Sequence, residues 1–92
     1  MKQQLKYTSE GRSGHVIYKD EVSELSFYFE FGGGDCVAFI DIPDMKNWEK
    51  MTNRPLAERE NIIAFIAEQS RKDQAPSGHY RISGHSIELF SK

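Results

Sequence analysis

Three histidines are the first residues to consider for chemistry, and each follows a glycine: Gly14-His15, Gly78-His79 and Gly84-His85. Three imidazoles brought together could bind a metal, but strong zinc signals carry an i, i+4 helical pair or cysteine partners, and neither is present. The simpler expectation is that each glycine ends a loop or forms a turn where a strand begins, so no metal site is predicted. Cys36 is the only cysteine. It is a nucleophile by residue type alone, and a thiol facing an apolar interior is inert. Gly32-Gly33-Gly34-Asp35 has the composition of a phosphate-binding loop. Such loops run from a strand into a helix and carry lysine, whereas this one runs into another strand and carries aspartate, so it reads as a turn. Ser77-Gly78-His79 and Ser83-Gly84-His85-Ser86 are turn compositions without a nucleophile–base–acid arrangement. Asp35, Asp41 and Asp44 do not match the spacing of a calcium loop, and Asp44 is better placed as a helix cap. No catalytic residue and no cofactor are predicted from these motifs.

The elements that would position these residues follow from periodicity. In Leu25-Ser26-Phe27-Tyr28-Phe29-Glu30-Phe31 the apolar residues alternate, the period of a half-buried strand. After the glycines comes a second run, Cys36 to Ile42. With Gly33-Gly34 as a two-residue turn, Phe31 faces Cys36, Phe29 faces Ala38, Phe27 faces Ile40 and Leu25 faces Ile42. A three-residue loop would set Phe31 against Asp35 and Leu25 against Asp41, so the two-residue turn is preferred. Four-residue connections at Asp20–Ser23 and Glu10–Ser13 extend the meander. They pair Tyr18 with Leu25, Val16 with Phe27, Lys19 with Glu24, Leu5 with Tyr18 and Tyr7 with Val16.

The inner face is then Leu5, Tyr7, Val16, Tyr18, Leu25, Phe27, Phe29, Phe31, Ala38, Ile40 and Ile42, and helices should cover it. Asp44 can cap a short helix carrying Met45 and Trp48. The main helix starts near Pro55, with Glu58 and Glu60 near its start and Arg71 and Lys72 near its end, as the helix dipole favours. Its apolar side is Leu56, Ile62, Ile63, Ile66 and Ala67, with Phe65 at the margin, and Pro76 and Gly78 stop it. A final hairpin turning at Gly84-His85 pairs Tyr80 with Leu89, Ile82 with Ile87 and Arg81 with Glu88. The predicted fold is α+β in the order β4-α-β2: an antiparallel sheet made of a four-stranded N-terminal meander and a C-terminal hairpin, with the main and short helices on one face. The edge at which the hairpin joins the sheet is left open.

The same register lays out the outer face. It puts Thr8, His15, Tyr28 and Phe39 in one row, with Ile17 and Val37 on the same face beside Lys6, Ser26, Glu30 and Asp41. Ile17, Tyr28, Val37 and Phe39 together exceed what a merely solvated face needs, and contiguous exposed apolar area marks interaction sites.

Composition sets the limits. Ninety-two residues make one domain, 1–92, and Leu, Ile, Val and Phe number 21, enough to fold but with a small core. The charged opening Met1-Lys2-Gln3-Gln4-Leu5 has no apolar run behind it, and no stretch is long enough to span a membrane, so the expected location is cytoplasmic, with no membrane partner. The formal net charge of −2 hides an asymmetry. Residues 1–19 carry +3, while residues 20–44 carry seven acids and no Lys or Arg. That block reads as a solvated sheet edge partly neutralised by the basic first strands, or as a surface for a basic partner protein.

Three functions fit these features. The first is a non-catalytic module that self-associates, as a homodimer, or binds a protein partner through the outer-face residues His15, Ile17, Tyr28, Val37 and Phe39. The second is a small-ligand binder or small enzyme using a groove on that face, with His15, Tyr28 and Asp41 lining it; His beside Tyr suits acid–base work near neutral pH. The third is single-stranded nucleic-acid binding. A strand meander followed by a helix resembles the general plan of the PUR and whirly single-strand binders, in topology, and Tyr28 and Phe39 could stack bases. The acidic block opposes that third reading, because it would repel phosphates, and nucleic acid is not the expected partner.

Overall fold

The computed structural model describes residues 2–92, so Met1, the first residue of the charged opening, lies outside it. Four strands come first: β1 (Gln4–Glu10), β2 (Ser13–Lys19), β3 (Glu24–Phe31) and β4 (Cys36–Asp41). They are followed by α1 (Trp48–Thr52), a single 3-10 turn at Leu56–Glu58, α2 (Arg59–Gln74), and the hairpin β5 (His79–Ile82) and β6 (Ser86–Phe90). The fold is α+β, with one antiparallel six-stranded sheet in the order β1-β2-β3-β4-β6-β5. The hairpin therefore joins at β4, and β6 is its inner strand. The acidic strands β3 and β4 lie in the middle of the sheet, which corrects the reading of the acidic block as a sheet edge.

Pairing follows the apolar alternation in three of the hairpins. Leu5 faces Tyr18 and Tyr7 faces Val16. Tyr18 faces Leu25, Val16 faces Phe27 and Lys19 faces Glu24. Tyr80 faces Leu89, Ile82 faces Ile87, and Arg81 faces Glu88 with an ion pair of 2.7 Å.

The β3–β4 register differs from the prediction by two residues. Phe31 faces Ala38, Glu30 faces Phe39 and Phe29 faces Ile40, and the pairing ends there. The turn closes between the Gly33 carbonyl and the Cys36 N–H at 3.2 Å, with Gly34 and Asp35 as its central residues. Gly34 has φ of +61°, a conformation glycine adopts without steric cost. A shift of two keeps side chains on the same face, so the apolar pattern does not distinguish the two registers. The bulge between Cys36 and Ala38 is what moves residues off their predicted faces, setting Cys36 on the outer face and packing Val37 against the core. Cys36 consequently lies opposite Phe90 of β6, next to a bulge at Val37, and not opposite Phe31. It is half-buried, and burial raises its thiol pKa.

Both helices cover one face. α2 buries Ile62, Ile63, Ile66, Ala67 and Ser70 against the sheet, and Phe65 meets the Tyr18 ring edge-on at 5.9 Å. Trp48 of α1 is fully buried, stacks on Phe27 at 6.5 Å and donates its indole N–H to the Pro55 carbonyl at 3.1 Å. Asp44 accepts from the Asn47 N–H at 2.9 Å and from its side-chain amide at 3.0 Å. It thus closes the turn leading into α1, while Asn47 holds the cap position itself. Leu56 is exposed, because its segment winds as a 3-10 turn ahead of α2 and does not join the helix's apolar side. Phe31 stays beside Phe29, at 5.2 Å, yet is 41% exposed at the end of the sheet where α2 runs out.

One buried polar knot joins the strand and helix layers. The Arg54 guanidinium forks onto both oxygens of Asp20, at 3.0 and 2.9 Å, and also donates to Glu58 at 2.8 Å and Ser23 at 2.9 Å. Asp20 further accepts from Tyr18 and from the Val22 and Ser23 N–H groups. The Arg54 side chain is 3% exposed and that of Asp20 not at all. Arg54 and the local donors hold the Asp20 carboxyl well below its ordinary 3.8. Sequence reasoning treated Asp20 as a turn residue in the acidic block, and no local pattern links it to an arginine 34 residues away.

Candidate functional site: a cleft in the sheet

The end of the β3–β4 pairing opens the sheet. Beyond Ile40 the chain follows β6, with Asp41 facing Ser86 and the Ile42 N–H donating to the His85 carbonyl at 3.0 Å. Pro43 comes next and has no N–H to return to β3. β3 keeps β2 on one side over its whole length, but from Glu24 to Phe27 no strand among the described residues pairs with its other side.

The result is a groove of about 590 Å³. Leu25, Ser26, Phe27 and Tyr28 line one wall. Asp41, Ile42, Pro43 and Asp44 line the other, and Asn47, Met51 and Thr52 contribute from α1 and the turn before it. Because Trp48 packs under Phe27, α1 forms the floor and the mouth opens toward the outer face. His15 and His85 stand at that mouth.

The predicted outer-face residues divide between the cleft and the sheet beside it. His15 and Tyr28 line the cleft, and their rings meet edge to face with centroids 6.1 Å apart. The Tyr28 hydroxyl donates to Glu30 at 3.0 Å, and the His15–Tyr28 contact is between rings, with no hydrogen bond between them. Asp41 also lines the cleft, and its carboxylate has no hydrogen-bond or ion-pair partner among the described residues. The register shift removes Phe39 from the predicted row with Thr8, His15 and Tyr28. It sits between Glu30 and Glu88, 38% exposed, and Tyr28 is 41% exposed. Ile17 is half-buried on the outer face. Val37, predicted on that face, is half-buried and packs against the hydrophobic core, because the bulge between Cys36 and Ala38 turns it away. The face is therefore aromatic and acidic in patches, where a continuous apolar stripe was expected.

The three histidines do not converge. His15 and His85 reach the cleft, while His79 stacks on Phe90 at 4.8 Å in the hairpin. Among the described residues, no three His, Cys, Asp or Glu side chains are grouped to hold a metal ion. Two of the preceding glycines have a packing reason. A Cβ on Gly14 would lie 1.9 Å from the Thr8 carbonyl oxygen, and one on Gly78 would lie 1.7 Å from that of Phe90.

A second exposed apolar group escaped sequence reasoning. Met45, Leu56 and Ile82, with Ile63, line a shallow depression on the helix side. Ile82 is exposed there because β5 is the outermost strand, a position the sequence left open. The cleft itself has one signal in the sequence, Pro43 directly after the β4 run.

Among the described residues no helix is long and apolar enough to cross a membrane. The chain matches no protein-family model, no curated protein and no solved structure.

Proposed function

We propose that this domain is a non-catalytic binding module that holds a protein partner on the outer face of its sheet, around the cleft. The observation that carries this reading is the break in the sheet. Aromatic residues stand exposed beside a strand whose backbone is unpaired on one side, and a folded protein ordinarily closes or guards such an edge. Large exposed apolar side chains next to a concavity favour a partner over bulk water. The acids Asp41, Asp44, Glu30 and Glu88 near Tyr28 and Phe39 weigh against a nucleic-acid backbone. The lone cysteine accords with a reducing compartment, and the cytoplasm is the proposed location.

The test is native mass spectrometry of the freshly purified protein beside the Tyr28→Glu, Phe39→Glu double variant. A dimer or a co-purified protein that the double variant loses while staying folded supports the outer face. Association unchanged in the folded double variant contradicts it.

The groove also favours a second reading, a small-molecule ligand held among His15, Tyr28 and Asp41. Its volume falls in the range of roughly 300–1,000 Å³ typical of ligand sites. A monomer carrying a small extra mass would support this reading, and that mass would indicate what is bound.

A further inference from the structure

We infer that the cleft takes an extended, basic peptide segment of the partner, which pairs with the free side of β3 between Glu24 and Phe27. This rests on the outer-face reading and specifies the partner's chemistry.

The main-chain argument comes from alternation. The Phe31 N–H donates to the Arg12 carbonyl at 2.8 Å, toward β2, and the Gly32 N–H donates to Val37 at 3.0 Å, toward β4. Consecutive residues of a strand point their N–H and C=O groups to opposite sides. Along β3 the odd-numbered residues therefore bond to β2, and the even-numbered ones point toward β4. At Ser26 no strand lies on that side, and its N–H and C=O face the groove. Strand addition to an exposed edge uses such groups, with main-chain hydrogen bonds supplying affinity and alternate side chains entering flanking pockets.

The charge argument sets the sign of the segment. The acids lining the groove are Asp41 and Asp44, and among the described residues no lysine or arginine lines it. Asp44 is engaged by Asn47, whereas the Asp41 carboxylate has no partner among the described residues. A lysine or arginine on an incoming strand would supply one, as an acidic wall favours a cationic ligand.

The experiment selects binders from a displayed library of random heptapeptides on the intact protein, then repeats the binding on Ser26→Pro. Proline at 26 removes the groove-facing N–H without touching the bonds to β2, and proline is tolerated on a strand edge. Enrichment of peptides with Lys or Arg, bound at least about tenfold more weakly by folded Ser26→Pro, is the expected result; tenfold corresponds to about one main-chain hydrogen bond. No enrichment, acidic or uncharged winners, or equal binding by folded Ser26→Pro would overturn the inference. Should Ser26→Pro fail to fold, N-methylating the enriched peptide at alternate residues decides instead: one methylation phase must abolish binding, and equal binding by both phases counts against strand pairing. The two proposals fail separately. Loss of association in the Tyr28→Glu, Phe39→Glu variant with no peptide enrichment leaves the outer face standing and removes the strand-pairing mode.

Discussion

Asp20 and Asp41 belong to the same acidic block, yet the molecule treats them in opposite ways. Asp20 is fully buried, and it accepts from Arg54, Tyr18 and two backbone N–H groups. Asp41 lines an open cleft and has no partner among the described residues. The backbones around them differ similarly. The β1-β2-β3 meander pairs along its full length, while β3 and β4 separate after three pairs. A carboxylate whose acceptor sites are all occupied can only hold the fold together. One left free beside an unpaired strand is available to something outside the chain.

Breaking the closed region should give the largest effect. Arg54→Met leaves the buried Asp20 carboxylate without a counterion, at a cost of about 3–5 kcal/mol, while Asp20→Asn leaves Arg54 paired with Glu58 and should cost less. The first loss is a large part of the roughly 5–15 kcal/mol that holds a domain together. Urea unfolding should show the loss, and Asp41→Asn in the same assay should stay within about 0.5 kcal/mol of the parent. The pair also contributes to acid sensitivity. Because the folded Asp20 carboxyl titrates below its ordinary 3.8, its contribution is complete above that value and is lost as pH falls below it. Asp20→Asn should flatten the decline in stability below about pH 4, measured as Tm against pH.

Proline placement should sharpen the contrast between paired and unpaired backbone. Ile17 faces Lys6 in the middle of the sheet, and by the β3 alternation its N–H points to β1. Ile17→Pro removes a ladder hydrogen bond and should leave little folded protein by circular dichroism. Ser26→Pro, on the adjacent strand, should lower stability by less than about 1 kcal/mol. Tyr28→Glu, Phe39→Glu removes two side chains that are each about two-fifths exposed and sets a carboxylate between Glu30 and Glu88, so a moderate loss of stability is expected with the fold retained. Its Tm should fall by roughly 5–10 °C, leaving the protein folded at room temperature, while association is lost.

The sequence reveals the faces of this sheet more fully than its registers. Alternation in Leu25–Phe31 and Ala38–Ile42 assigns each side chain to a face, and that assignment holds even where the β3–β4 pairing does not; Cys36 and Val37 depart from it because of the bulge against β6. Three consecutive glycines allow the turn to close at Gly33-Gly34 or at Gly34-Asp35, and both closures give the same faces. The cleft depends on what lies on the other side of β4. Its position is set by β6 drawing Asp41 and Ile42 away, a long-range choice that no local pattern records. Pro43 was the local trace of it. His15, Tyr28 and Asp41 lie along one concavity because they share the outer face, which the alternation records. Phe39 was set in the wrong row because its place depends on that register. The Asp20–Arg54 knot was not legible, since its members are distant in sequence and a buried ion pair leaves no periodic signature.

Amide hydrogen exchange of the free protein, resolved by residue with NMR, tests the open edge most directly. The account predicts that Ser26 exchanges rapidly, as an amide facing a water-filled cleft, while its neighbour Phe27, bonded to β2, exchanges with the slowly opening core. Ser26 protected to the same degree as Phe27 would mean that the cleft is closed in solution, and would contradict it.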